Sequence, residues 1–314
     1  EVWNQIFPQA VYAREQATTL WGESEMGWMQ WYGLRSAQVM DIWTEVYGDA
    51  AQDRLVRVAA THTGWPGLEE NILVAPLAYL ALGKKPVESF DAYAVTGYFG
   101  YEMGTEEMAR RMDGWLDQSE ELATKAGEAE GLRRVALREF VKDARFEGAI
   151  APVAKALEEG SLSQLVNEVF PYHADAAMKY DLTLVMYEGG THVAGHGARV
   201  NDERLTAFFR EFNYTPEMAK LYEILMGGWA AAGGTLFNAF VDVAPATQWG
   251  SWGALRHLED SNPRWDMLMA YNASGPQWET RDPVVFEDGI RALGSGSDAF
   301  SGSSPDSSAS SSGA

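Results

Sequence analysis

Short, nearly continuous apolar runs alternate along this chain with longer stretches in which apolar residues recur at helical spacing. The short runs are 54–64, 90–100, 181–190 and 235–243. They are rich in Val, Ala, Leu and aromatic residues, and three of them end at a glycine. Each is predicted to be a parallel strand buried on both faces. Between them, 31–47, 69–82, 105–122 and 216–232 predict helices. In the first helix the apolar stripe is Leu34, Val39, Ile42, Trp43 and Val46, and Trp28, Trp31 and Trp43 are expected in the core. A helical insertion, about 123–180, precedes the third strand. Strand and helix in alternation predict an α/β fold with a parallel sheet.

Composition narrows the partners. The net charge of −21 sets this surface against a phosphate backbone, so no nucleic-acid partner is expected. No apolar run is long enough for a membrane span. The chain holds no cysteine, which removes a disulfide scaffold, a thiol nucleophile and a cysteine-ligated metal. From Gly294 onward nearly every residue is Gly, Ser, Ala or Asp. Residues 291–314 therefore read as a disordered linker or tail, with a further C-terminal module possible beyond it, and 1–290 as the folded body. Together these features suit an extracellular protein.

Glu188 is the first candidate for chemistry. It closes the uncharged run Leu182–Tyr187 and precedes Gly189 and Gly190, where the backbone leaves the sheet. Parallel α/β folds bind ligands at the carboxyl ends of their strands, and a carboxylate there is costly unless paired or used. Glu1 heads Glu1-Val2-Trp3-Asn4, which reads as a strand end turning into a loop. Glu188, His192 and His196 are spaced like metal ligands on a helix. Gly189, Gly190, Gly195 and Gly197 break any helix there, so both histidines are expected on a loop over the cleft.

Glu1-Val2-Trp3-Asn4, the strand-end Tyr187-Glu188-Gly189-Gly190 and the tryptophans after the last strand resemble the large clan of retaining (β/α)8-barrel glycoside hydrolases. The resemblance spans most of 1–272. It implies a TIM-type barrel in which Glu1 ends strand four as acid/base and the four apolar runs are strands five to eight. Glu188 then ends strand seven as nucleophile. It also implies three strands and an Asn upstream of Glu1, so the chain is expected to be the C-terminal part of a longer enzyme. On the same resemblance, Tyr98 bonds the nucleophile, and Trp249 and Trp252 form an aromatic platform for a sugar face. His62, Tyr187 and His192 border the same sugar.

The function expected is hydrolysis of O-glycosidic bonds in a polysaccharide or oligosaccharide, with retention and without a cofactor. Its two carboxyls would stand about 5 Å apart. Two rivals remain at this point. One is a non-catalytic carbohydrate-binding barrel. The other is a metal-dependent hydrolase using His192, His196 and Glu188.

Overall fold

The computed structural model describes residues 1–274. The end of the expected body, to 290, and the stretch 291–314 read as a linker lie outside the described residues. The fold is α/β. Four parallel strands form one sheet: β1 (Val58–Ala60), β2 (Ala92–Phe99), β3 (Thr183–Thr191) and β4 (Phe237–Ala239). Each strand pairs with its successor in the chain, so every crossover steps in the same direction across the sheet.

All four strands form in the apolar runs, but β1 and β4 are shorter than expected and β3 runs one residue past its run. Before β1, residues Ala51–Arg54 are helical rather than extended. After β4, backbone groups turn to the loop that follows. Val241 N–H donates to Trp252 O at 3.1 Å, and Ala254 N–H donates to Val241 O at 2.7 Å. No strand forms at Glu1. Residues 1–7 are a run of turns, with Asn4 N–H donating to Glu1 O at 3.3 Å and Phe7 N–H to Asn4 O at 3.1 Å. A single residue ahead of a turn has no ladder of backbone groups to pair.

The third strand runs past its expected end. Gly189 and Gly190 are not an exit from the sheet; they pair with Gly97 and Tyr98, and Thr191 pairs with Phe99. Their smallness serves close packing. A Cβ on Gly190, whose φ is +137°, would stand 2.5 Å from the Tyr222 hydroxyl, and that hydroxyl accepts from Thr191 N–H at 3.0 Å.

Helices fill the crossovers. Between β1 and β2 the expected single helix is two, Glu70–Leu73 and Pro76–Leu82. Ala75 between them has φ +39°, because the residue before a proline is pushed out of the helical region. The insertion between β2 and β3 is helical throughout much of its length, with Ala109–Ala129, Arg134–Ala144, Glu147–Leu157 and Phe170–Lys179. Glu203–Phe212 and Pro216–Ala231 link β3 to β4. Among the described residues no helix is long and apolar enough to cross a membrane.

Ahead of the sheet, Pro8–Trp21 and Gly27–Tyr47 pack on each other. The second of these corrects the expected core face. Its buried residues are Gly27, Met29, Gln30, Gly33, Leu34 and Ala37, while Val39, Ile42, Trp43 and Val46 are exposed, Trp43 by 49%. The small residues decide it. A Cβ on Gly33 would come within 2.3 Å of Ile72 O, so the helix lies directly on backbone there and its bulkier stripe turns away.

The two faces of the sheet differ. Tyr93, Val95 and Phe99 of β2, with Leu184 and Met186 of β3, join the main core beneath the helices. Ala92, Ala94 and Val185 form a small second cluster with Val58, Ala60, Tyr187 and Leu236 on the other face. Between Val95 and Thr96, β3 gains one residue on β2: Met186 pairs with Val95, but Glu188 with Thr96. It gains one on β4 as well, since Met186 pairs with Phe237 and Gly189 with Ala239. Tyr187 and Glu188 therefore sit on a β-bulge. The Tyr187 carbonyl accepts from Asn238 Nδ2 at 2.9 Å, a side chain supplying the partner that the ladder lacks there.

Candidate functional site

A cavity of about 370 Å³ opens at the carboxyl ends of β1, β2 and β3. Thr96 and Tyr98 face it from β2, being two apart on the face that also carries Ala92 and Ala94. His62 and Thr63 reach it from the turn after β1. Tyr187 and Glu188 both reach it from β3. A regular pleat would send these two neighbours to opposite faces; the bulge lets them share one. Glu1, Trp3, Asn4 and Gln5 close the remaining side.

Two carboxylates thus border one space, each beside a tyrosine. Tyr187 OH donates to Glu1 Oε1 at 3.2 Å, and Asn4 Nδ2 donates to Glu1 Oε2 at 3.1 Å. The Tyr98 hydroxyl stands beside Glu188 and stabilises its charge. Burial first, and the Glu1 charge second, push the Glu188 carboxyl above the ordinary carboxylate range; Tyr98 opposes them. Both tyrosines are raised as phenols, by burial foremost and then by these carboxylates, so each stays protonated and able to donate.

The segment that carries Glu1 is fastened by Trp3. This indole is buried, 6.2 Å from the Tyr32 ring and 6.3 Å from the Tyr187 ring. On the opposite wall, Thr63 Oγ1 and Thr96 Oγ1 are 2.7 Å apart, and Thr96 N–H donates to Thr63 Oγ1 at 2.6 Å. Thr63 is also held from below. His173 Nε2 donates to Thr63 O at 2.9 Å, while Tyr93 OH donates to His173 Nδ1 at 2.8 Å. Burial keeps His173 below its usual value and hence neutral, as this relay of donors requires.

The expected site residues are therefore brought together unequally. Glu1, His62, Tyr98, Tyr187 and Glu188 line the cavity directly. His192 follows β3 and packs edge-on against Tyr98, ring centroids 5.7 Å apart. Trp252 stands behind it, 5.9 Å from His192 and 6.0 Å from Phe240. Trp249 is 60% exposed and is not among the residues lining this cavity. His196 stacks on Tyr101 at 3.9 Å and on His192 at 5.3 Å. Burial lowers both histidines, so this stack is neutral. Among the described residues no three His, Asp or Glu side chains converge in a metal-binding group.

Sequence reasoning passed over Trp3, Asn4, Thr63 and Thr96. For two of them the signal was present. Thr96 lies two before Tyr98, hence on its face of the strand, and Asn4 lies one turn from Glu1. His173 has no such signal, being one residue of a long helical insertion.

What the arrangement offers is a partly desolvated pair of carboxyls, two phenol donors and a wall of hydroxyl and indole groups at the carboxyl ends of parallel strands. Comparison with family models, with curated proteins and with solved structures finds no match to this chain.

Proposed function

We propose that the chain is the catalytic part of a retaining glycoside hydrolase whose four-stranded sheet is one arc of a (β/α)8 barrel. The strands in sequence order support the arc, and the face with Ala92, Ala94 and Val185 would be the barrel interior. The observation that carries the function is the meeting in one cavity of Glu1 and Glu188, which lie far apart in the sequence. In the proposed reaction the Glu188 carboxylate attacks the anomeric carbon. Glu1 gives its proton to the departing oxygen. Water then attacks the glycosyl-enzyme, Glu1 takes a proton from it, and Glu188 leaves. Tyr98 would steady the nucleophile's charge before attack and after release. The substrate is an oligosaccharide or polysaccharide, and no cofactor enters these steps. The lack of cysteine and the acidic composition support secretion.

The test is Glu188→Ala assayed on 4-nitrophenyl glycosides and on oligosaccharides cut from glucans, xylan and mannan. Wild-type hydrolysis should fall by about three orders of magnitude or more. Azide should restore part of the rate and yield a glycosyl azide of inverted configuration. Equal hydrolysis by the variant would end the enzyme reading. Binding without hydrolysis by the wild-type chain would leave the carbohydrate-binding alternative.

A further inference from the structure

We infer that the cavity beside the two carboxylates continues into a second sugar-binding subsite, whose far wall is the helical insertion between β2 and β3. The inference rests on the glycoside-hydrolase reading for its ligand class and extends the site to the helical insertion, to which that reading gives no role. The adjoining cavity holds about 230 Å³ and shares Thr63, Thr96 and Tyr98 with the first, so the two are parts of one cleft. Ser161, Gln164, Leu165 and Val169 close its other side.

The insertion reaches this position because its helix is broken. Gly160 has φ −99° and ψ −117°, outside helical values, between Glu147–Leu157 and the segment that begins at Leu165. The break is tied to the end of β2. Gly100 N–H donates to Ser161 Oγ at 3.0 Å, and Ser161 N–H donates to Glu102 Oε1 at 3.4 Å. The wall is thus held in place before any ligand arrives, which lowers the ordering cost of binding.

Its chemistry suits a sugar ring. Val169, half-buried above the buried Leu165, offers an apolar surface to a C–H face. The Thr63 and Thr96 hydroxyls stand at the junction with the first cavity. Gln164 is exposed at the cavity wall, and its amide makes no side-chain hydrogen bond among the described residues, so a donor and an acceptor remain for sugar hydroxyls. Gly64 keeps the floor open: a Cβ there would meet His62 Cε1 at 3.1 Å.

The experiment is calorimetric titration of the full chain carrying Glu188→Gln, with and without Gln164→Ala, against di-, tri- and tetrasaccharides from glucans, xylan and mannan. Affinity should rise with chain length, and Gln164→Ala should cut that rise by about tenfold, the loss of one or two hydrogen bonds. Gln164→Glu, which keeps the acceptor, should recover part of it. Affinity independent of chain length would overturn the inference. So would an equal loss at every length, or no binding of any sugar in the panel. If length-dependent binding is seen but the parent chain hydrolyses none of these sugars, the subsite stands and the enzyme reading falls.

Discussion

Glu188 and Glu1 border the same cavity, yet the chain holds them by different means. Glu188 belongs to a strand paired on both sides, and of the two glycines after it Gly189 lies against Met186 and Phe237 and Gly190 against Tyr222, itself buried in the main core. Glu1 sits in a run of turns whose anchors are Trp3, the Tyr187 hydroxyl and the Asn4 amide. One carboxylate is placed by paired strands, and the other by a few side-chain contacts of the first turns. Damage to the first should therefore register in both stability and activity. Damage to the second should register in activity alone.

Gly190→Ala tests the first half and carries the largest expected effect. A methyl group would collide with the Tyr222 hydroxyl at a backbone φ of +137° that side chains rarely adopt. The cost should be about 2–4 kcal/mol. At about 2–4 °C per kcal/mol, calorimetry should show a fall of roughly 4–16 °C in melting temperature. Asn4→Ala tests the second half, since it removes the amide bond to Glu1 and leaves the buried Trp3 in the core. Hydrolysis should drop about tenfold while the melting temperature moves by no more than about 2 °C. Hydrogen exchange should show the loss of protection confined to the first turns of the chain. A melting temperature that falls as far as in Gly190→Ala would erase the distinction.

Tyr98→Phe gives a subtler reading. In the proposed reaction the nucleophile is ionised, so hydrolysis should be lost as pH falls through the Glu188 value. That value is already raised by burial and by Glu1, and the Tyr98 hydroxyl holds it down. Removing the hydroxyl should move the acid limb of the kcat/KM profile to higher pH. Stability runs the opposite way with pH. A carboxyl favoured in its protonated form by folding stabilises the protein at low pH, and that contribution is lost as pH rises through the folded value. An acid limb that stays where it was would separate Tyr98 from the nucleophile's charge.

Much of this was legible from residue order, and the remainder shows what a one-dimensional pattern omits. The four apolar runs mark the four strands because a strand buried on both faces must be apolar throughout. The long helix 27–47 was visible in its spacing, but not the face it buries. That face is chosen by Gly33 lying on the Ile72 backbone, a contact no periodicity records. Glu188 and Tyr98 were findable because strand ends are. Their meeting with Thr63, and the support of Thr63 by His173, depend on residues 110 apart in the chain. Trp249 and Trp252 looked equivalent in the sequence, yet packing against His192 and Phe240 keeps Trp252 close to the site while Trp249 stands in solvent.

The bulge in β3 bears on how such a site arises and how it is lost. The strand carries one residue more than its neighbours need, and pairing resumes on both sides once that residue is passed. Deleting a single codon there would leave a strand that still fits its neighbours. It would also return Tyr187 and Glu188 to the alternation that separates them. The sheet can therefore keep its architecture while its chemistry is switched off by the shortest in-frame change available to a gene. The reverse step, one inserted residue, is as short. A scaffold of this kind can gain or shed a reactive centre without passing through an unfolded ancestor.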